Sequence, residues 1–145
     1  MPGDVERAPA LEELRFLEGE WEMELSDSAF VPEGDVVKAS AAFEFVDNGR
    51  FLALRQSDAA TWIIGRDDAS DLYTVLYSDG RGVSRVYTMT LDDGKWRIWR
   101  DDPEFSQRFE AVVSAERDLI SGRWEKRPDG GVWEHDFALT YRRVG

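Results

Sequence analysis

Beyond Gly19 the chain takes up a period of two and holds it to the end. Trp21, Met23 and Leu25 alternate with Glu20, Glu22 and Glu24, the repeat that a half-buried β-strand requires. Strand-like segments follow over residues 35–46, 50–57, 60–66, 71–78, 83–91, 95–101, 104–113, 118–126 and 131–143. Between them lie Asp47-Asn48-Gly49, Asp79-Gly80, Asp92-Asp93-Gly94 and Asp129-Gly130-Gly131, residues that tolerate positive φ and close hairpins. Asp67-Asp68-Ala69-Ser70-Asp71 is a longer polar turn. About ten consecutive strands on tight turns make an antiparallel meander, and an open meander leaves two edges exposed. Closing the sheet removes them. The expected fold is therefore all-β, an antiparallel up-and-down β-barrel of about ten strands. A two-sheet sandwich is the alternative, but the connections are short hairpins with no long crossover.

One segment has helical spacing. In Pro9-Ala10-Leu11-Glu12-Glu13-Leu14-Arg15-Phe16-Leu17-Glu18, the apolar series is Leu11, Leu14 and then position 17 or 18. Pro9 suits a first turn and Gly19 a stop. Two to three turns are too few to be stable alone, so this helix is expected to cap the barrel. Residues 1–8 are polar and expected to be frayed, which leaves 9–145 as a single domain.

Composition narrows the function classes. The 145 residues carry a formal net charge of −12, which argues against nucleic acid and anionic membranes as partners, since both need basic surface. There is no cysteine, hence no disulfide, thiol catalysis or thiolate metal site. No apolar run approaches the roughly 18 residues of a membrane span. Met1 to Arg7 lacks a basic region followed by an apolar one, so a cytoplasmic location is expected. No Gly-x-Ser-x-Gly elbow, phosphate-binding glycine loop or His-Glu-x-x-His is present. Asp67, Asp68 and Asp71 do not have EF-hand spacing, and no metal is expected.

A helix running into Phe16-Leu17-Glu18-Gly19-Glu20-Trp21, then a strand meander, then a closing Leu139-Thr140-Tyr141-Arg142-Arg143-Val144, resembles the calycin superfamily of lipocalins and fatty-acid-binding proteins. Within it the chain is similar to two bacterial groups of this length, the uncharacterised lipocalin-like domain family and the haem-binding nitrobindins. The resemblance implies a lipocalin-like barrel in which Trp21 plugs the floor, Gly19 lets the helix turn into the first strand, and Arg142 helps to close the barrel. The nitrobindin likeness implies an axial histidine four residues before the Thr140-Tyr141 pair. Asp136 stands there, and His135 lies one residue earlier, which in a strand means the opposite face. Glu22-Met23-Glu24-Leu25 also replaces the Gly-rich stretch of nitrobindins. A β-bulge would restore the parity, but the expectation is no cofactor, with haem disfavoured.

His135 is the single histidine and the only side chain able to give a metal or haem a nitrogen ligand. Alternation groups it with Trp133, Phe137, Leu139 and Tyr141, the apolar and therefore interior face of the last strand. Glu134, Asp136, Ala138, Thr140 and Arg142 share the other face. Val83, Arg85, Tyr87 and Met89 form one face of another strand, where an Arg–Tyr pair can grip a carboxylate. In Lys95-Trp96-Arg97-Ile98-Trp99-Arg100-Asp101 an arginine lies beside a tryptophan on either face. The expected function is binding of a small, largely apolar ligand in the barrel, with Arg85, Tyr87, Trp99 and His135 among the lining residues. An enzyme of isomerase, cyclase or lyase type would use the same cavity, with His135 or Tyr87 as acid/base and Arg85 or Arg123 stabilising an oxyanion. An assembly role is the third reading, with an apolar outer patch that would suit a homodimer.

Overall fold

The structure, a computed structural model, describes residues 9–67 and 69–144. The expectation for residues 1–8 lies outside the described residues. Ten strands follow a short N-terminal helix: β1 Gly19–Ser26, β2 Val36–Val46, β3 Phe51–Gln56, β4 Thr61–Asp67, β5 Leu72–Ser78, β6 Ser84–Asp92, β7 Lys95–Arg100, β8 Phe105–Val113, β9 Leu119–Pro128 and β10 Glu134–Arg143. Each pairs antiparallel with its sequence neighbours, and β1 pairs with β10, closing the barrel. No edge is left to pair with another chain. No helix among the described residues is long and apolar enough to cross a membrane.

The turn chemistry is as the sequence demands. Asp47, Asn48 and Gly49 all have positive φ, as do Asp93, Gly94, Asp129 and Gly130. At Gly122 the constraint is space: a Cβ there would lie 2.4 Å from the Glu110 carbonyl oxygen and 2.5 Å from the Ala111 Cβ. β9 can approach β8 this closely only without a side chain at that position.

The N-terminal helix differs in type from an α-helix. Pro9–Leu17 is a 3₁₀ helix of nine residues, and Leu11, Leu14 and Leu17 are all buried. Three residues per turn stack positions i, i+3 and i+6 on one line, so the leucine spacing of three selects the tighter helix and resolves the choice between positions 17 and 18. The helix closes one end of the barrel, the floor. Below it Trp21 is buried and donates its indole N–H to the Leu17 carbonyl at 2.8 Å. Gly19 turns the chain into β1 with φ +124°. Glu13 adds a second tether, accepting hydrogen bonds from the Tyr73 hydroxyl and from Arg66.

Arginines stand at both closures, Arg143 at this floor seal and Arg142 across the β1–β10 seam. The Arg143 guanidinium lies 4.4 Å above the Trp21 ring and donates to the carbonyls of Phe16 and Glu18. Arg142, one residue earlier, points to the opposite face, where its Nε donates to Glu24 at 2.9 Å. Register explains this: Arg143 is paired with the inward-facing Trp21, and Arg142 with Glu22.

Candidate functional site

Alternation turns one face of every strand inward. Near the floor those side chains fill the interior, with Phe43, Trp96 and Tyr141 in ring contact. Toward the opposite end, the mouth, they leave a cavity of about 240 Å³. Its walls are mainly apolar, from Met23 and Leu25 on β1 round to Phe137 and Leu139 on β10. Trp62, Tyr77, Tyr87 and Trp124 form a contiguous aromatic cluster, with ring centroids 4.8–6.3 Å apart. The indole N–H groups of Trp62 and Trp96 are buried without a hydrogen-bond partner among the described residues.

The polar lining groups are few and mostly engaged. Gln107 on β8 accepts from the Tyr87 hydroxyl at 2.6 Å and from Arg85 Nη1 at 3.4 Å. Burial raises the Tyr87 phenol, opposed by the Arg85 and Arg100 charges. Tyr77 donates to Asp79 at 2.7 Å, and burial together with that carboxylate pushes its phenol up to about 12. Burial raises the Tyr141 phenol furthest toward the floor, and the Asp58 charge adds to it. Arg100, which is not in the lining, is paired with Asp102 at 3.2 Å. Arg85 differs: among the described residues no carboxylate lies within ion-pair distance of it, and Gln107 is its neutral partner.

The sequence placed four residues in this lining. Arg85 and Tyr87 are there, on the inward face of β6 with Met89. Trp99 is not. Trp96 and Ile98 take the inward positions of β7, and Trp99 faces outward, paired across the sheet with Thr88 and Arg108. His135 is also outside. A β-bulge inserts Asp136 between the pairs His135–Glu125 and Phe137–Trp124. Directly opposite residues share a face, so Phe137 joins Trp124 inside while His135 joins Glu125 outside. Its ring is 36% exposed. Nε2 donates to the Asp27 carbonyl at 2.8 Å and lies 3.1 Å from the Asp27 carboxylate. Apolar periodicity thus assigns Phe137, Leu139 and Tyr141 to the interior correctly and fails at the bulge. Trp133 is likewise outside, beneath the Arg108 guanidinium at 4.0 Å. Arg123 faces solvent, so it does not meet the lumen tyrosines.

Gln107 is the polar lining residue that the sequence reading missed. The signal was present: Phe105, Gln107, Phe109 and Ala111 share a face by simple alternation, which puts an amide on an apolar stripe. Trp62 was harder to read, because Trp62 and Ile63 are apolar neighbours on opposite faces. The loop over residues 27–35 lies beside the mouth, with Phe30 packed edge-on to the lining Phe137 at 6.3 Å. In the polar turn, Asp67 accepts from the Ala69 N–H and the Ser70 hydroxyl, and Asp71 pairs with Arg66. Asp68 lies outside the described residues. No group of three or more metal-ligating side chains is assembled among the described residues.

No protein-family model matches the chain, and no curated protein matches it. Solved structures do, and 12 chains match its fold. One is the crystal structure of Rv2717c from M. tuberculosis, similar with a TM-score of 0.68 over 96% of this chain and 99% of that one, at 13% identity. At that identity the likeness is one of fold.

Proposed function

We propose that this chain is a calycin-like binding protein whose lumen takes one small, largely apolar molecule. The observation that carries this is the lumen itself, an apolar-walled cavity inside a closed barrel with its polar groups gathered toward the mouth. At about 240 Å³ it lies below the roughly 300–1,000 Å³ of ordinary small-molecule sites, so the occupant is small. Burying about 150 Å² of ligand at roughly 25 cal/mol per Å² supplies about 4 kcal/mol before ordering costs. That corresponds to affinities near millimolar for a bare hydrocarbon, and tighter binding needs the polar anchors Arg85, Gln107 and Tyr87.

The geometry does not favour haem. The only imidazole is outside the lumen with Nε2 engaged by Asp27, and the cavity is too small for a macrocycle. Of the residues an enzyme would draw on, His135 and Arg123 are outside, and Tyr87 and Arg85 share the lumen, both bonded to Gln107.

Titration calorimetry with toluene tests the binding reading. Saturable binding is expected, and it should be lost in Val75→Phe, which adds a ring where Val75 lines the cavity. Ala60→Phe fills the lumen independently from the rim. Absent binding in the natural chain, or undiminished binding in both folded variants, contradicts the proposal.

A further inference from the structure

We infer that the ligand is a flat aromatic carboxylate rather than an alkyl-chain acid, a conclusion that rests on the binding role proposed above. The first observation is the wall. Eight of the 21 lining residues are aromatic, and their rings form a belt rather than isolated plates. Tyr77 meets Trp62 at 4.8 Å, Trp62 meets Trp124 at 6.1 Å, Trp124 meets Phe109 at 5.2 Å, and Phe109 meets Trp96 at 5.4 Å. A ring inserted against such a belt gains stacking and edge contacts beyond its buried area. An alkyl chain gains area alone and must also freeze its torsions. In a cavity of about 240 Å³, a rigid slab of one or two rings fills the space without that entropic cost.

The second observation is Arg85. It lines the lumen of a chain whose formal charge is −12. Its planar guanidinium is held by a neutral amide, and among the described residues no carboxylate neutralises it. A fixed, uncompensated guanidinium in an apolar setting favours a carboxylate bonded in its plane. Asp58, the one carboxylate among the described lining residues, lies on the β3–β4 turn, where it accepts the Ala60 N–H at 3.1 Å. Arg85 on β6 and Asp58 on that turn thus give the lining one positive and one negative group. The carboxylate is directed to Arg85 and the ring down against the aromatic belt.

Three probes separate the components: 2-naphthoate, decanoate and 2-methylnaphthalene, each titrated calorimetrically into the full chain. Naphthoate is expected to bind at least about tenfold tighter than decanoate, which shares its carboxylate but not its ring. It should also bind about tenfold tighter than methylnaphthalene, which shares the ring but not the charge. In Arg85→Gln the advantage of naphthoate over methylnaphthalene should fall to about threefold or less. Decanoate matching naphthoate overturns the aromatic assignment. Methylnaphthalene matching naphthoate, or an unchanged ratio in Arg85→Gln, overturns the anion assignment. In those cases the lumen still binds, and the function proposed above stands. Failure of all three probes removes both.

Discussion

Arg142 and Arg143 are adjacent and chemically identical, yet they do different work. Arg143 sits over Trp21 and donates to two backbone carbonyls of the segment that caps the floor. Arg142 makes one exposed ion pair with Glu24. Charge-assisted bonds to helix-end carbonyls are worth more than surface ion pairs. Arg143→Ala should therefore cost about 2 kcal/mol of stability, and Arg142→Ala less than about 1 kcal/mol, read from urea unfolding midpoints. Equal costs would show that the floor is not sealed in this way. The two residues also mark what a sequence reveals at this scale. The pair Arg142-Arg143 was visible as a basic closing motif, but choosing between them needed the β1–β10 register. Gln107 was legible from alternation alone. The outward turn of His135 was not, because an extra residue in a strand leaves no compositional trace.

The strands were the most legible elements. Period-two alternation bounded by Asp-Gly turns locates nearly all of them to within a residue or two, because tight hairpins leave little freedom in where a strand stops. The segment 131–143 is the exception. β10 begins at Glu134, since Gly130 and Gly131 prolong the turn and Trp133 packs against Arg108 instead. The helix was located correctly but not typed, although its Leu11, Leu14, Leu17 spacing already favoured three residues per turn. Face assignment succeeded where one face was plainly apolar, as with Arg85 and Tyr87 beside Met89. It failed in β7, where Trp96 and Trp99 occupy opposite faces and hydrophobicity does not choose between them. The Asp136 bulge belongs to this scale too: it lies at the mouth end of β10 and re-aims the side chains there, a common use of bulges near barrel rims.

Across the whole molecule, all four tyrosines have phenols raised by burial: Tyr73, Tyr77, Tyr87 and Tyr141. Each stays protonated in the folded barrel at a pH where the unfolded chain, with phenols near about 10, already ionises. Their contribution to stability is thus fully present below about pH 10 and is lost as the pH rises through the folded values. The urea midpoint should fall steadily above about pH 10, and phenolate absorbance should appear together with unfolding. Ordinary titration of all four near pH 10 with the fold intact would contradict the buried placement. The same interior is the lumen proposed to receive a small apolar molecule. The chain's six tryptophans report on it directly: Trp62, Trp96 and Trp124 line the cavity, Trp99 and Trp133 lie outside, and Trp21 seals the floor. Toluene titrated into ¹⁵N-labelled protein should shift the indole N–H resonances of Trp62, Trp96 and Trp124 in a saturable way and leave Trp99 and Trp133 in place. Shifts concentrated at Trp99 and Trp133, or no saturable shift at the three lumen tryptophans, would contradict it.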